Sequence, residues 1–192
     1  MQIQIRQTTN AETPAICDLI EAAFGDEQGL EVAQLTRDLL ADPSAQPLLS
    51  LVATAQRTEI GDPPLGHILF THAKIHTGSA PSDPIPSAAI LAPLAVRSDV
   101  QSQGIGGRLI ADGLARLTAA GVDLVFVLGH PGYYSRHGFV PAGNLGLDAP
   151  YPIPPEHADA WMVQALRQGL LGRVQGQVAC AEALDDPRHW RE

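Results

Sequence analysis

The chain has 192 residues, a length typical of one domain, and its 45% hydrophobic residues are enough to form a core. Its 12 basic and 21 acidic residues give a formal net charge of −9, which argues against nucleic acid as the main partner. No apolar run approaches the ~20 residues of a membrane-spanning helix, so no membrane partner is expected. The N-terminus lacks the features of a signal peptide, and the two cysteines match no disulfide or metal pattern. This composition predicts a cytoplasmic protein without a metal site.

Acidic residues are concentrated at the N-terminal end of the chain. Residues 1–44 contain eight carboxylates and two arginines. A solvated helix face accounts for this pattern, and a surface that attracts a cationic amine is the alternative.

The first part of the chain predicts strands and two helices. In chain order these are a strand over 2–7, helices over 12–24 and 30–40, and strands over 48–55 and 65–75. The two helices follow from apolar residues in helical phase, and Cys17 falls on the buried side of the first.

Two Pro- and Gly-containing stretches divide the middle of the chain. Residues 57–64 predict a hairpin turn and residues 77–87 a loop. A strand follows over 88–96, with Pro93 inside it. Because proline removes a ladder donor, Pro93 predicts a bulge or an open edge there.

The remaining elements continue the alternation of helices and strands. A helix is predicted over 105–119, an apolar strand over 122–128, a short helix around Tyr134 and a strand near 139–140. Residues 143–158 predict a loop. Two late strands and a polar tail complete the chain, over 161–166, 172–179 and 185–192.

A glycine loop precedes the helix over 105–119, with the pattern Gln101-x-x-Gly104-x-Gly106. The first N–H groups of a helix have no intrahelical partner, and glycines let the backbone approach a phosphate closely. This loop therefore predicts a site for a phosphorylated ligand. A Walker loop is excluded because Lys74 is the only lysine, and a Rossmann fingerprint because position 109 is Leu.

The glycine loop resembles the acyl-CoA pyrophosphate loop of the GNAT N-acetyltransferase superfamily. A second segment, Tyr-Tyr-Ser-Arg-His-Gly-Phe over 133–139, is similar to the family's aromatic signature and lies in the family's order. The resemblance covers residues 2–142 by element order. It implies one domain over 1–192, with C-terminal strands and a tail over 143–192.

The resemblance implies an α/β (α+β) fold with a mixed, mainly antiparallel sheet, splayed central parallel strands and flanking helices. It also implies that acetyl-CoA is bound as co-substrate and that the acetyl group passes to a primary amine by direct attack. The residues expected to bind the cofactor are Leu94, Ala95, Val96, Gln101, Ser102, Gln103, Gly104, Ile105, Gly106, Gly107 and Arg108. Arg97, Arg108 and Arg136 are candidates for pairing with its phosphates.

The resemblance assigns one catalytic residue, Tyr134, as the acid that protonates the departing thiolate. No carboxylate occurs over 90–96, where family members often carry a glutamate base. The candidates for the general base are Glu21, Asp26, Glu27 and His130, each also explained as a solvated side chain.

Several alternatives stay open at this point. The chain could be a non-catalytic acyl-CoA-binding sensor, a structural domain that binds a protein, or a transferase for another acyl group. The acceptor is not readable from the sequence. A homodimer is suggested only by analogy with relatives.

Overall fold

The computed structural model describes residues 2–56, 63–78 and 84–191. Most of the predicted turn over 57–64 and part of the predicted loop over 77–87 lie outside these residues. The strands are β1 (Ile3–Gln7), β2 (Leu49–Ala55), β3 (Gly66–His76), β4 (Ala88–Val96), β5 (Leu124–Leu128), β6 (Val140–Pro141), β7 (Leu147–Asp148), β8 (Trp161–Ala165) and β9 (Gly176–Ala179). The helices are α1 (Thr13–Phe24), α2 (Asp26–Ala41), α3 (Ile105–Ala119) and α4 (Pro131–Tyr134), with short 3₁₀ turns between elements.

The strands form one mixed sheet in the order β1-β2-β3-β4-β5-β8-β6. Its neighbours are antiparallel except β4 and β5, which run parallel at the centre. The short strand β9 pairs with the far end of β3, and β7 runs parallel to β9. This topology confirms the expected mixed, mainly antiparallel sheet with central parallel strands.

Helices cover both faces of the sheet. On one face α3 presents the predicted apolar stripe, including Ile105 and Leu109, to the core. On the other face α1 and α2 bury Ile16, Cys17 and Ala33 against the side chain of Ala95. The described part of the chain contains no helix that is long and apolar enough to cross a membrane.

The second helix begins at Asp26, four residues earlier than predicted. Gly25 has a φ of 70° and makes the turn between the two helices tight. A side chain on Gly29 would collide with the backbone of Glu21, so this glycine allows α2 to cross close to α1. Asp26 and Glu27 also suit the positive end of a helix dipole.

The prediction of a polar tail over 185–192 is wrong. Residues Pro187–Trp190 form a 3₁₀ helix, and Trp190 is only 2% exposed. Its ring packs edge-on against Trp161 at 5.5 Å, and its Nε1–H donates to the Leu184 carbonyl at 3.0 Å. Burial of one large aromatic ring therefore holds in place a segment whose other residues are mostly polar.

Two further boundaries differ from the sequence predictions. The last strand begins at Gly176 rather than 172, because a turn closed by the Leu170 carbonyl occupies the residues before it. The predicted loop over 143–158 contains the two-residue strand β7. The remaining predicted elements match the structure within two residues.

Candidate active site

The centre of the sheet opens where β4 and β5 part. Their parallel pairing extends only to Leu91 opposite Val127. On the other side, Leu91 faces Phe70 and Leu94 faces Ile68, so β4 has one more residue than β3 between these pairs. This bulge contains Pro93, as the sequence predicts. Beyond it lies a cavity of about 440 Å³ between the two strands.

Beyond the bulge, the backbone N–H and C=O groups of successive β4 residues point alternately towards β3 and towards the gap. The N–H of Arg97 donates to the Leu65 carbonyl at 2.9 Å, a bond that flanks the facing residues Val96 and Gly66 and makes them a non-hydrogen-bonded pair of the antiparallel ladder. Since such pairs alternate, Ala95 bonds to β3, whereas the N–H and C=O groups of Leu94 and Val96 point away from β3. Leu94 and Val96 therefore present backbone groups to the gap, and Ala95 does not.

The glycine loop forms the N-terminal cap of α3. Gly104 has a φ of 80°, a left-handed conformation that other residues rarely adopt. Among the described residues, the N–H groups of Ile105, Gly106 and Gly107 donate no hydrogen bond. The Arg108 N–H donates to the Gly104 carbonyl at 3.1 Å, so this predicted phosphate donor is already engaged.

The three residues before Gly104 are exposed and shape the entry to the loop. The side-chain amide of Gln101 donates to the Val96 carbonyl at 3.0 Å, which ties the loop to the end of β4. Ser102 has a φ of 61° and so takes part in the sharp turn. Gln103 follows it at the surface.

The glycine loop and the aromatic signature are in direct contact. A Cβ atom on Gly106 would lie 2.5 Å from Tyr133 Oη, and one on Gly107 would lie 2.9 Å from His137 Cε1. The half-buried Tyr133 has its pKa raised by burial, which keeps its phenol protonated beside the helix N-terminus. The two sequence motifs therefore form one structural unit.

Tyr134 lies at the wall of the cavity and is largely buried. Its ring packs on the backbone of Gly129, where any side chain would overlap it. The rings of Tyr133 and Phe139 contact it edge-on, with centroids 5.1 and 5.7 Å away. These contacts fix the ring at the end of β5.

The three arginine candidates have different surroundings. Arg97 pairs with Asp99 through two bonds of 2.6 and 2.9 Å, and Arg108 donates to the Ile3 carbonyl at 2.9 Å. Arg136 is exposed and makes no ion pair or hydrogen bond with the residues that the structure describes. Arg136 is therefore the arginine of the three that is free for a phosphate.

The candidates for a base are mostly outside the cavity. Glu21 pairs with Arg37 at 3.4 Å, and Asp26 and Glu27 are exposed on α2. Of the four candidates, His130 alone is among the described cavity-lining residues. Its Nδ1 accepts a hydrogen bond from the Gly132 N–H at 3.1 Å and caps α4.

The far wall of the cavity comes from residues that sequence reasoning missed. It is formed by the helix α2 and the C-terminal 3₁₀ segment; its polar members are Gln28, Glu31, Arg188, His189 and Arg191. Glu31 Oε1 lies 3.9 Å from both Arg188 Nε and His189 Nδ1. A tryptophan within a polar terminal segment was the available signal that this segment folds back. Within residues 2–56, 63–78 and 84–191, no three His, Cys, Asp or Glu side chains converge as metal ligands.

Comparison with known proteins agrees with this geometry. The chain is 43% identical over 176 residues to the uncharacterized N-acetyltransferase YjhQ of Escherichia coli K12, covering 91% of this chain and 90% of the relative. It is 29% identical over 174 residues to YhbS, another uncharacterized N-acetyltransferase of that organism. No protein-family model matches the chain.

Two solved structures resemble the whole chain. The GNAT family N-acetyltransferase YhbS from Escherichia coli, in complex with CoA, has a TM-score of 0.80 and 27% identity, covering 97% of this chain and 93% of that one. A GNAT family acetyltransferase from Brucella melitensis, in complex with acetyl-CoA, has a TM-score of 0.69 and 28% identity, covering 96% and 99%. With the splayed strands and the glycine loop, these similarities show that the chain belongs to the GNAT family and is an acetyl-CoA-dependent N-acetyltransferase.

Proposed function

We propose that the enzyme transfers the acetyl group of acetyl-CoA to a primary amine, which attacks the thioester directly. The observation that carries this proposal is the cavity between β4 and β5, which has the unpaired N–H groups of α3 near one end and Tyr134 at its wall. Relatives of the same fold bind CoA and acetyl-CoA, which supports the same donor here.

The donor would lie along β4 and end on the glycine loop. The outward-facing backbone of Leu94 would pair with the pantetheine amides as an added strand would, together with the N–H of Val96, whose carbonyl already accepts from Gln101. The N–H groups of Ile105, Gly106 and Gly107 receive the pyrophosphate at the positive end of α3. Arg136 is the free cation for a phosphate group.

The Leu94 N–H is the donor that we assign to the thioester carbonyl. It faces the cavity, whereas the Ala95 N–H faces β3. A hydrogen bond to the developing oxyanion stabilises the transition state by about 3–4 kcal/mol.

Tyr134 is the group that we assign to the leaving thiolate. A phenol with a pKa of about 10 is a weaker acid than a thiol of about 8.5, so the proton moves as the C–S bond breaks rather than before. The packing on Gly129 and Phe139 holds the ring in place for this step.

The acceptor would enter from the side of α2 and the C-terminal segment. The carboxylate of Glu31 lies on this wall together with the guanidinium groups of Arg188 and Arg191. A sensor without catalysis would not require Tyr134 at the cavity wall, and family membership favours the enzyme.

A thiol-release assay with acetyl-CoA tests the proposal. The panel contains a polyamine, an amino sugar, an amino acid and a peptide with a free N-terminus, and acetylated products are identified by mass spectrometry. We expect release that depends on one class of amine. Acetyl-CoA binding by calorimetry without transfer to any amine in the panel would instead support the sensor.

A further inference from the structure

The reaction needs a base that the donor region does not contain. An amine acceptor is an ammonium ion at neutral pH and must lose a proton before it attacks. β4 has no carboxylate along the cavity. Apart from Tyr134, the described cavity wall has three groups able to accept a proton, which are Glu31, His130 and His189.

Two of these three groups are poorly suited as bases. The lone pair of His130 Nδ1 is occupied by the Gly132 N–H at 3.1 Å, so its other nitrogen carries the proton in the neutral ring. The Glu31 carboxylate is 50% exposed and lies near Arg188. This carboxylate is therefore in contact with solvent and a cation rather than enclosed with the substrate.

His189 has a different environment. Its side chain is only 6% exposed, and its Nδ1 lies 3.9 Å from Glu31 Oε1. The neighbouring Trp190 is buried against Trp161 and fixes the short segment that carries it. The ring is therefore held at the cavity wall between the core and α2.

We propose that His189 is the general base that deprotonates the acceptor amine, with Glu31 positioning its ring. This inference rests on the proposed function and extends it to the acceptor side. At 3.9 Å the Glu31 carboxylate is too far for a hydrogen bond, but its negative charge favours the tautomer with the proton on Nδ1, which leaves the lone pair of Nε2 for the substrate.

The proton balance of the reaction is complete with these groups. The ammonium gives one proton to His189 Nε2, and the free amine attacks the thioester carbon to form a C–N bond. As the C–S bond breaks, the thiolate takes the proton of Tyr134, and the tyrosine regains one from the nitrogen that attacked. His189 then releases its proton to solvent, so the net products are the amide, CoA thiol and one proton.

Burial, more than the surrounding charges, favours a neutral His189 ring at neutral pH. Burial is the largest cause that lowers the pKa of His189, and Arg188 lowers it further. Asp186 next to its own segment, together with Glu31 and Asp38 on α2, acts in the opposite direction but does not reverse the shift. The imidazolium form of His189 therefore predominates only at pH values below the ordinary histidine pKa of 6.5.

The pH dependence of kcat/KM for the most reactive amine of the panel tests this role. We expect the wild type to show a plateau from about pH 6.5 up to the pKa of the amine. In His189→Gln the free amine is the only reactive species, so kcat/KM should rise about tenfold per pH unit over this range. At pH 7 the loss should be about 100-fold, as is typical of general base catalysis. The matched control His130→Asn, which retains a cap acceptor for Gly132, should keep the plateau.

A second measurement does not depend on activity. In ¹⁵N spectra of the histidine rings, with the His189 signals assigned by their loss in His189→Gln, we expect the Nδ1–H tautomer. We also expect a lower His189 pKa in Glu31→Gln, because the carboxylate that favours the imidazolium is gone. A retained plateau in His189→Gln, or a proton on Nε2, would overturn the inference. A wild type that acetylates no amine would refute the proposed function instead, and the spectra would still test His189.

Discussion

The two sides of the cavity are built in opposite ways. The donor region (residues 94–96 and 101–108) is nearly contiguous in sequence and offers main-chain N–H groups. The acceptor region (residues 28–35 and 184–191) joins segments some 150 positions apart and offers side chains. Two relatives of the same fold bind CoA and acetyl-CoA, whereas the acceptor of this enzyme is not readable from any motif.

The largest effect that separates the two regions should come from Trp190→Ala. Removing a buried tryptophan ring costs about 3–5 kcal/mol of unfolding free energy, and here it also loosens the segment that carries His189. We expect KM for the amine to rise while the Kd of acetyl-CoA stays within twofold. Chemical denaturation measures the unfolding free energy, steady-state kinetics measure KM, and calorimetry measures Kd. The control Trp190→Phe keeps a ring against Trp161 and should lose less than half as much unfolding free energy as Trp190→Ala. If Trp190→Ala weakened acetyl-CoA binding as much as amine binding, the two regions would not be separable.

Tyr134→Phe tests the point where the two regions meet. The ring contacts with Gly129 and Phe139 remain, so only the hydroxyl is lost. We expect kcat to fall about 100-fold, equivalent to about 2.7 kcal/mol in the barrier. The Kd of acetyl-CoA should not change. Steady-state kinetics near neutral pH that give an unchanged kcat would rule out the acid role.

Gly106→Ala is expected to affect the donor region alone. The new Cβ would lie 2.5 Å from Tyr133 Oη, so the tyrosine must move off the N-terminus of α3. We expect acetyl-CoA to bind about tenfold more weakly, a change of about 1.4 kcal/mol. The same substitution in a Tyr133→Phe background should cost less, because the clashing oxygen is absent. Gly143→Ala, at a glycine with open space around it, is the matched control and should bind normally.

The smallest effect is expected outside both regions, at the pair Arg6–Glu12. Hydrogen bonds from Arg6 are the largest cause that lowers the pKa of Glu12, to about 2, against 4.5 for the unperturbed group. A lowered carboxyl pKa stabilises the fold above pH 4.5, and this contribution is lost as the pH falls towards 2. Because Arg6 is 40% exposed, solvent screening leaves about 1 kcal/mol.

Glu12→Gln should therefore be about 1 kcal/mol less stable than the wild type at pH 7, with the difference shrinking below pH 4.5. Urea denaturation at a series of pH values measures it. The KM values for both substrates should not change. A difference at pH 2.5 as large as that at pH 7 would contradict the ion-pair explanation.

The glycine loop and the bulge of the proposed donor region could be predicted from sequence because their signals are local. Gly104 and Gly106 lie within one turn of each other, and Pro93 marks the bulge on the preceding strand. The choice between Leu94 and Ala95 required the ladder register, which no local pattern contains. The engaged N–H of Arg108 likewise became visible only in the helix cap.

The acceptor region could not be predicted because it depends on tertiary contacts. Glu31 and His189 are brought together only when Trp190 packs on Trp161 and α2 lies beside that segment. No local sequence motif marks any of these residues as part of a site. The early start of α2 was missed for the same reason, because Gly29 is explained by its contact with α1 rather than by helix propensity.

The outward-facing backbone of Leu94 has a consequence for how the protein can diverge. Every residue except proline carries the same main-chain N–H, so most substitutions at this position leave the hydrogen-bond donor in place. The proposed donor site would thus depend on the path of the chain rather than on particular side chains. The proposed contacts on the opposite wall come from side chains. A substitution there would therefore change which acceptors the same fold can bind.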